Sequence, residues 1–326
     1  MRVASGGSPT DVGTPAVVHL VWAPLGPAPL RAFLASYRAH PPGCEHDLVI
    51  ALSGIDASGV DGDGVRMLLR ELDGTEHRLL ELGAPTLDLL AYRQAASMLE
   101  HDHVCVLNSY SRVRCDGWLL AFAEALRGPD VGLVGASGSW ASQGSYAMFH
   151  LGLPSPYRRV FGARRATIAQ FQALEQERSG RRARGLRGTL DTVRALAADA
   201  VGFPPFPAVH LRTNAFMGRR ELLLELLPTR LTHKARAYRY ESGWRSITRG
   251  IQRLGLSPRV VDRFGRSFAP EDWPASDTFW QGDQDSLMVA DNQSDAYQRA
   301  DLPTRLLLSR LAWGERAAPS AVASAS

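Results

Sequence analysis

The residues best placed to perform chemistry are carboxylates and polar side chains that adjoin short apolar runs. Glu241 lies in the segment Arg239–Gly243, directly before residues with helical spacing. A carboxylate there can accept the proton of an attacking hydroxyl, which is a poor nucleophile until that proton leaves. The alternative is that Glu241 only complements the positive end of the helix that follows it.

Two further polar groups adjoin apolar runs. Asn108, Ser109 and Tyr110 directly follow the run at 104–107. His210, Arg212 and Asn214 alternate within the segment HLRTNAF, so they can share one face of a strand and reach a substrate, or form a polar sheet face covered by other residues.

An acidic segment near Trp280 offers a third candidate. Asp283, Asp285 and Asp291 follow this tryptophan closely. The segment is either ordinary surface or one wall of a binding site in which the Trp280 indole stacks on a ligand.

Short apolar runs alternate with helical segments through the first 135 residues. Strands are predicted at 16–23, 47–52, 77–82, 104–107 and 131–134, with helices at 30–37, 65–72, 86–100 and 116–126. This alternation indicates βαβ units and a mainly parallel sheet. Ligands bind such sheets beyond the carboxyl ends of the strands, which directs attention to the loops at 23–26, 53–56, 108–111 and 136–140.

The alternation stops after Trp140. Residues 157–200 are predicted to be largely helical. Between residues 158 and 187 the sequence contains nine arginines and only two glutamates. Those arginines either form a solvated face or contact an anionic acceptor or membrane surface. Further on we expect a strand at 208–216, a helix from Gly243 to Gly255 capped by Ser242, and a helix at 302–313.

The composition is that of a globular protein, with 45% hydrophobic and 21% charged residues and a formal net charge of +4. No apolar run approaches the roughly 18 residues that span a membrane, and the start does not resemble a secretory signal. Three cysteines fit neither a disulfide framework nor a zinc ribbon, which favours a reducing cytoplasmic setting. No glycine-rich phosphate motif occurs, and the basic run lacks the interleaved aromatics of a nucleic-acid site.

Residues 104–126 (VCVLNSYSRVRCDGWLLAFAEAL) resemble the centre of family 2 glycosyltransferases. In that family a strand leads into an L-D-x-D or L-N-N-D-T motif, and Asp-Trp-Leu opens the next helix. Here 107–111 occupy the motif, and Asp116, Trp118 and Leu119 match the helix start. Residues 91–93 resemble an A-R-N-like segment, and 239–243 resemble the acidic element that supplies the catalytic base. The similarity covers 16–135 and, more loosely, 206–262.

The resemblance implies a glycosyltransferase A fold, an α/β structure with a Rossmann-like, mainly parallel sheet, flanking helices and a helical basic insertion. It implies an inverting transferase that moves a sugar from a nucleoside diphosphate-sugar to a glycan, a lipid-linked or a small-molecule acceptor. Glu241 would be the base. Donor-binding residues would be Ala23, Ser53, Asp56, Arg93, Asn108, Ser109 and Tyr110, and acceptor-binding residues Trp140, His210, Arg212, Asn214 and Trp280.

On this interpretation the chain has five parts: a tail at 1–15, a nucleotide-sugar-binding half at 16–140, the basic insertion at 141–205, an acceptor half at 206–300, and a C-terminal helix and tail at 301–326. We expect a cytoplasmic protein that binds no nucleic acid and contacts the inner face of the membrane through 158–187.

The resemblance departs from the family at its metal site. The family's aspartates hold a divalent cation, Mg²⁺ or Mn²⁺, on the donor diphosphate. Asn108 and Tyr110 stand in their places, and neither is an anionic ligand at neutral pH. Three alternatives remain open: a weak metal site through Asn108, a positive charge from Arg93 or Arg112, or a non-catalytic module that only binds a nucleotide-sugar or glycan.

Overall fold

The computed structural model describes residues 13–55, 60–83, 87–161, 185–231 and 234–316, with only the backbone at 185–190 and 234–235. Its strands are β1 (Ala16–Trp22), β2 (Asp47–Ser53), β3 (Arg78–Glu81), β4 (His103–Leu107), β5 (Arg112–Val113), β6 (Val131–Gly135), β7 (Gly138–Ser139), β8 (His210–Leu211), β9 (Ala215–Arg219), β10 (Ser257–Val261), β11 (Ser267–Phe268) and β12 (Val289–Ala290).

An eight-stranded sheet with the order β11-β10-β6-β9-β4-β1-β2-β3 forms the centre of this structure. β1 pairs in parallel with β2 and β4, as do β2 with β3 and β6 with β10. β9 lies between β4 and β6 and is antiparallel to both. The predicted α/β class with a mainly parallel sheet is therefore confirmed.

The helices are α1 (Pro27–Ala39), α2 (Gly62–Arg70), α3 (Asp88–Ser97), α4 (Trp118–Leu126), α5 (Gln143–His150), α6 (Tyr157–Phe161), α7 (Gly185–Gly202), α8 (Arg220–Leu226), α9 (Lys234–Glu241), α10 (Ile247–Arg253), α11 (Asn292–Arg299) and α12 (Leu302–Trp313). In the described ranges, no helix is long and apolar enough to cross a membrane. The three cysteines are free thiols.

Both faces of the sheet are covered by helices, because alternate residues of each central strand point to opposite sides. Val18 and Leu20 of β1 belong to a core that includes side chains of α3, α8, α10 and α12. Val17 and Val21 belong to the core on the other face, with side chains of α1, α2 and α4. Burial on both sides explains why these strands have continuous apolar sequences.

A histidine lies inside the second core. His19 of β1 is 0% exposed, and its ring stacks on Phe33 of α1 with centroids 3.7 Å apart and planes 6° apart. Neither ring nitrogen has a hydrogen-bond partner among the described residues. Burial lowers the pKa of His19 to about 3, so the imidazole is neutral in the folded protein.

Two element boundaries differ from the predictions. The single strand expected at 208–216 is two strands, β8 and β9, separated by a turn at 212–214. The helix expected to begin at Gly243 begins at Ile247, and its cap is Ser246, whose Oγ accepts from the Arg249 amide at 3.3 Å.

Ser242 cannot start a helix because it finishes one. Its amide donates to the Tyr238 carbonyl at 2.9 Å, and the Gly243 amide donates to the Arg239 carbonyl at 3.1 Å. Both bonds continue the last turn of α9. The predicted end of the following helix is confirmed, since Gly255 has a φ of +76°, which favours glycine after a helix.

Candidate functional site

The ends of five strands meet at one edge of the sheet. Trp22 pairs with Ser53 at the carboxyl ends of β1 and β2, and Leu107 at the end of β4 pairs with Ala215 at the start of β9. Gly135 at the end of β6 pairs with Phe216. The loops that follow β1, β2, β4 and β6 therefore lie together, as the sequence predicted.

Four predicted donor-binding residues lie at this edge. The Trp22 amide donates to Ser109 Oγ at 3.2 Å, which joins the loop after β4 to the end of β1. Ala23 and Ser53 are buried at the ends of β1 and β2. Asn108 directly follows β4, and its amide donates to the Asn214 carbonyl at 2.8 Å.

The loop after β4 is held by its own side chains. Asn108 Oδ1 accepts a hydrogen bond from the Tyr110 amide at 3.0 Å and lies 3.0 Å from Ser111 Oγ. An asparagine that accepts from the amide two residues later forms an Asx turn. The Tyr110 side chain is 39% exposed beyond this turn.

These contacts decide whether the loop fits the Mg²⁺ or Mn²⁺ that the resemblance implies. Asn108 Oδ1 is a neutral oxygen that already accepts from the Tyr110 amide, and it lies beside the Ser111 hydroxyl, which has one proton for Asn108 Oδ1 and the Asn214 carbonyl. Ser109 Oγ accepts from a backbone amide, and the loop holds no carboxylate. In the described ranges, three or more histidine, cysteine, aspartate or glutamate side chains never gather as a metal would require. The loop does not fit a divalent cation.

The two arginines expected to replace the metal charge have other partners. Arg93 Nη1 donates to the Leu227 carbonyl after α8 at 3.3 Å. Arg112 Nη2 contacts both carboxylate oxygens of Asp295 at 2.5 Å. The charge of Arg112 is therefore balanced by α11.

A buried ion pair lies next to the loop. Arg212 Nη2 donates to Asp291 Oδ2 at 2.6 Å, and the two side chains are 9% and 1% exposed. The guanidinium carbon lies 3.9 Å from the centre of the Phe279 ring, and Nη1 donates to Ser137 Oγ at 3.3 Å. Because removing charges from water is costly, such a pair depends on these added contacts.

Asn214 connects this ion pair to the loop after β4. Its carbonyl accepts from the Asn108 amide at 2.8 Å and lies 2.8 Å from Ser111 Oγ, and its Oδ1 accepts from Ser137 Oγ at 3.2 Å. The residue is 3% exposed, and its Nδ2 has no partner among the described residues. A buried amide donor without a partner is costly, so Nδ2 is suited to bond an oxygen of a ligand.

The charge of Glu241, the last residue of α9, affects a tyrosine at the same edge. The Tyr92 hydroxyl of α3 donates to the Thr213 carbonyl at 3.2 Å. Burial raises the pKa of Tyr92 well above its usual value, and the charges of Asp88, Glu241 and Asp291 raise it further. Three carboxylates from separate elements thus lie within electrostatic reach of one buried hydroxyl.

The structure contradicts the alternative role for Glu241. The residue is the last of α9, where the helix dipole is negative, rather than the first residue before a helix. A carboxylate at that end of a helix is disfavoured by the dipole. The helix dipole of α9 therefore does not stabilise the Glu241 carboxylate, and helix capping does not explain its position.

The remaining acceptor candidates are largely enclosed. His210 Nδ1 lies 2.7 Å from the Ala208 carbonyl, and burial lowers the pKa of His210 to about 4. Trp140 is 8% exposed and packs edge-on against Trp313, while Trp280 is 6% exposed and stacks on Phe279. Little of either indole is open to a sugar, and their part in acceptor binding stays a prediction.

The acidic segment after Trp280 does not form one patch. Asp291 belongs to the buried pair, whereas Asp283 Oδ1 accepts from Arg305 of α12 at 2.6 Å. Asp56 and residues 162–184 of the basic segment lie outside the described residues.

The sequence analysis did not predict a role for Ser137 or Asp88, or the pairing of Asp291 with Arg212. Asp291 caps α11, where its Oδ1 accepts from the Ser294 amide while Ser294 Oγ accepts from the Asp291 amide. Aspartate is one of the residues preferred at helix N-caps, so the cap itself could have been recognised in the sequence. Ser137 lay within the loop at 136–140 that the strand pattern had already singled out.

Comparisons with known proteins give only distant similarities. No family model matches the chain, and no curated protein matches it. Among solved structures, a mannosyltransferase from Pyrobaculum calidifontis in complex with GDP-Man and Mn²⁺ is 12% identical, with a TM-score of 0.41; the match covers 79% of this chain and 57% of that one. The chain thus spans little more than half the length of that protein.

Two other solved structures are similar at the same level. A galactosyltransferase in complex with donor and acceptor sugar analogues is 11% identical over 72% of this chain and 70% of its own, with a TM-score of 0.35. A glucosyl-3-phosphoglycerate synthase from Mycobacterium tuberculosis is 14% identical over 64% of this chain and 56% of its own, with a TM-score of 0.32. Similarity this low gives no residue of the chain a role.

Proposed function

We propose that this chain is a glycosyltransferase that transfers a sugar from a nucleoside diphosphate-sugar to a hydroxyl of a glycan, a lipid-linked or a small-molecule acceptor, with inversion at the anomeric carbon. One observation carries the proposal: the loops after β1, β2 and β4 meet at one sheet edge, where the Tyr92 hydroxyl contacts the Thr213 carbonyl and the charge of Glu241 helps to raise the pKa of Tyr92. The resemblance of 104–126 and 239–243 to family 2 glycosyltransferases supports it independently.

In the proposed reaction Glu241 accepts the proton of the acceptor hydroxyl. The hydroxyl oxygen then forms a bond to the anomeric carbon while the bond from that carbon to the diphosphate oxygen breaks. The electron pair of the broken bond leaves with the nucleoside diphosphate. Attack from the face opposite the leaving group inverts the configuration, and a positioned base of this kind contributes about 10²–10⁴ in rate.

The donor would lie against the loops that carry Ala23, Ser53, Asn108 and Ser109. Asn214 Nδ2 would donate to an oxygen of the bound substrate, because it is buried and has no other described partner. No step passes through a metal ion, since the loop residues do not fit one. We further propose that the chain acts in the cytoplasm and that its basic segment at 158–187 faces the membrane.

Donor binding tests this proposal directly. The unfolding temperature would be measured with UDP-, GDP- and other nucleoside diphosphate-sugars, in Mn²⁺ and in EDTA. A ligand that binds only the folded state adds about 2.7 kcal/mol at 100 times its Kd, so one donor class should raise the unfolding temperature. Release of free sugar from that donor would then be followed without an acceptor.

The two readouts separate the proposed enzyme from a binding module. A donor that stabilises the protein and is slowly hydrolysed supports transfer. A donor that stabilises the protein with no hydrolysis, and no transfer to any hydroxyl acceptor tried, would favour the non-catalytic module. If no nucleoside diphosphate-sugar alters the unfolding temperature, the proposed donor site is wrong.

A further inference from the structure

The segment at 234–253 carries an unbalanced positive charge. It contains one lysine and five arginines but only one carboxylate, Glu241. We refer to the five arginines of α9, α10 and the loop between them as the α9–α10 basic face: Arg236, Arg239, Arg245, Arg249 and Arg253. All are exposed except Arg249, which is partly buried.

The arginines of this face form no ion pairs with carboxylates in the described part of the chain. In the described part of the chain, none of them has a carboxylate oxygen within 4.0 Å, although other arginines do form such pairs. Burial lowers the pKa of Arg249, and the nearby charge of Arg253 lowers it further. Arg249 Nε also has no partner among the described residues. Arg249 and Arg253 therefore repel each other, and an anionic partner would relieve that repulsion. Arg239 is nearer to an acid, since its charge partly offsets the burial that raises the pKa of Asp199 on α7.

Exposed apolar groups lie among these charges. Trp244 is 47% exposed, and its Nε1 donates to the Val201 carbonyl at the end of α7 at 3.2 Å. Val201 itself is 78% exposed, and Tyr238 is 40% exposed. The Arg249 guanidinium lies 4.9 Å from the centre of the Trp244 ring. The indole is thus fixed at the surface with a cation beside it.

We infer that the α9–α10 basic face binds the surface of an anionic phospholipid membrane. Arginines suit the phosphates of lipid headgroups, while tryptophan and tyrosine favour the boundary between headgroups and acyl chains. A soluble polyanion such as a nucleic acid would use the arginines but would leave Val201 exposed to water. This inference does not depend on the proposed glycosyl transfer, and it uses none of the residues at 162–184.

Sedimentation of the full chain with lipid vesicles tests the inference. We expect binding to vesicles of phosphatidylcholine mixed with phosphatidylglycerol, and little binding to phosphatidylcholine alone. Binding should weaken strongly in about 1 M NaCl, where charges are screened beyond about 3 Å. Binding that is equal on both kinds of vesicle would overturn the inference.

Matched variants locate the surface. Arg245→Gln with Arg253→Gln removes two exposed charges from the face and should weaken binding by roughly 30-fold. The control pair Arg70→Gln with Arg299→Gln makes the same change in net charge on α2 and α11, at two other exposed arginines. If the control pair weakens binding as much as the first pair, net charge alone attracts the protein and the assigned surface is wrong.

The fluorescence of Trp244 can report contact with the membrane, and a change in net charge alone would not alter its quenching by lipid. Of the seven tryptophans, Trp244 is 47% exposed, and all others except the partly buried Trp22 are at most 8% exposed. Brominated acyl chains should quench part of the fluorescence in the parent chain and less of it in Trp244→Phe. Equal quenching in both would overturn the inference, as would a parent chain that binds a single-stranded oligonucleotide but no vesicle.

Discussion

The neutral state of His19 makes the stability of the protein depend on pH in a calculable way. The ordinary histidine pKa is 6.5, and burial lowers that of His19 to about 3. Between these values the unfolded chain binds a proton that the folded chain excludes, so the free energy of unfolding falls as the pH falls. At pH 5 the pH lies about 1.5 units below the histidine pKa of the unfolded chain, so protonation of that chain lowers the free energy of unfolding by roughly 2 kcal/mol. At pH 7 this effect of protonation is close to zero.

His19→Leu should remove this contribution, because leucine has a similar volume and no titratable group. Urea unfolding at pH 7 and pH 5 would measure the loss of stability in the parent and in the variant. The variant should lose about 2 kcal/mol less between the two pH values. Two further effects act at pH 7. Removal of the unpartnered ring nitrogens should stabilise the variant by about 1–3 kcal/mol, and loss of the stacking on Phe33 should offset part of that gain.

His19→Phe, which keeps an aromatic ring against Phe33, serves as the second variant. His210 has its pKa lowered to about 4 by burial, so both variants should retain the acid sensitivity that this residue contributes. If parent and variants lose equal stability between pH 7 and pH 5, the folded protein binds a proton at His19 and our account of this residue is wrong.

Three other expectations follow from the site. Glu241→Gln should lower turnover about 10²–10⁴-fold and leave donor binding intact, measured by kinetics beside thermal shift; unchanged turnover would remove Glu241 from the mechanism. Arg212→Ala should cost about 3–5 kcal/mol in urea unfolding because the Asp291 charge is left buried without its cation, and Arg212→Met with Asp291→Asn, which removes that charge but keeps the side-chain oxygen that caps α11, should recover much of that loss. Donor binding should be the same in EDTA and in Mn²⁺, whereas Tyr110→Asp should give a Mn²⁺-dependent rise in unfolding temperature; a strict Mn²⁺ requirement in the parent would show that other residues hold the ion.

The strands that are buried on both faces could be predicted from the sequence. Their apolar runs at 16–23, 47–52, 104–107 and 131–134 reflect packing against helices on two sides, which is a local signal. The edge where ligands bind follows from strand direction alone. These features gave the positions of Asn108, Ser109 and Ser53 correctly.

Features that depend on distant contacts could not be predicted in this way. Arg212 and Asp291 are 79 residues apart, and nothing near either residue indicates the other. The alternation at 208–216 suited one strand, but pairing with β7 and with β4 divides it into two. Ser242 and Ser246 both suit a helix cap, and only the hydrogen bonds at the end of α9 decide between them.

The position of β9 has a consequence for how the chain folds during synthesis. Residues 215–219 join β4 to β6, so Cys105 pairs with Met217, which lies 112 positions later in the sequence. Until those residues leave the ribosome, β4 and β6 each present an unpaired inner edge, and such edges invite association with other chains. Closing so long a loop slows folding, because its entropy must be lost before the contacts form. A fragment that ends near residue 140 would therefore lack the strand that unites its sheet and would tend to aggregate.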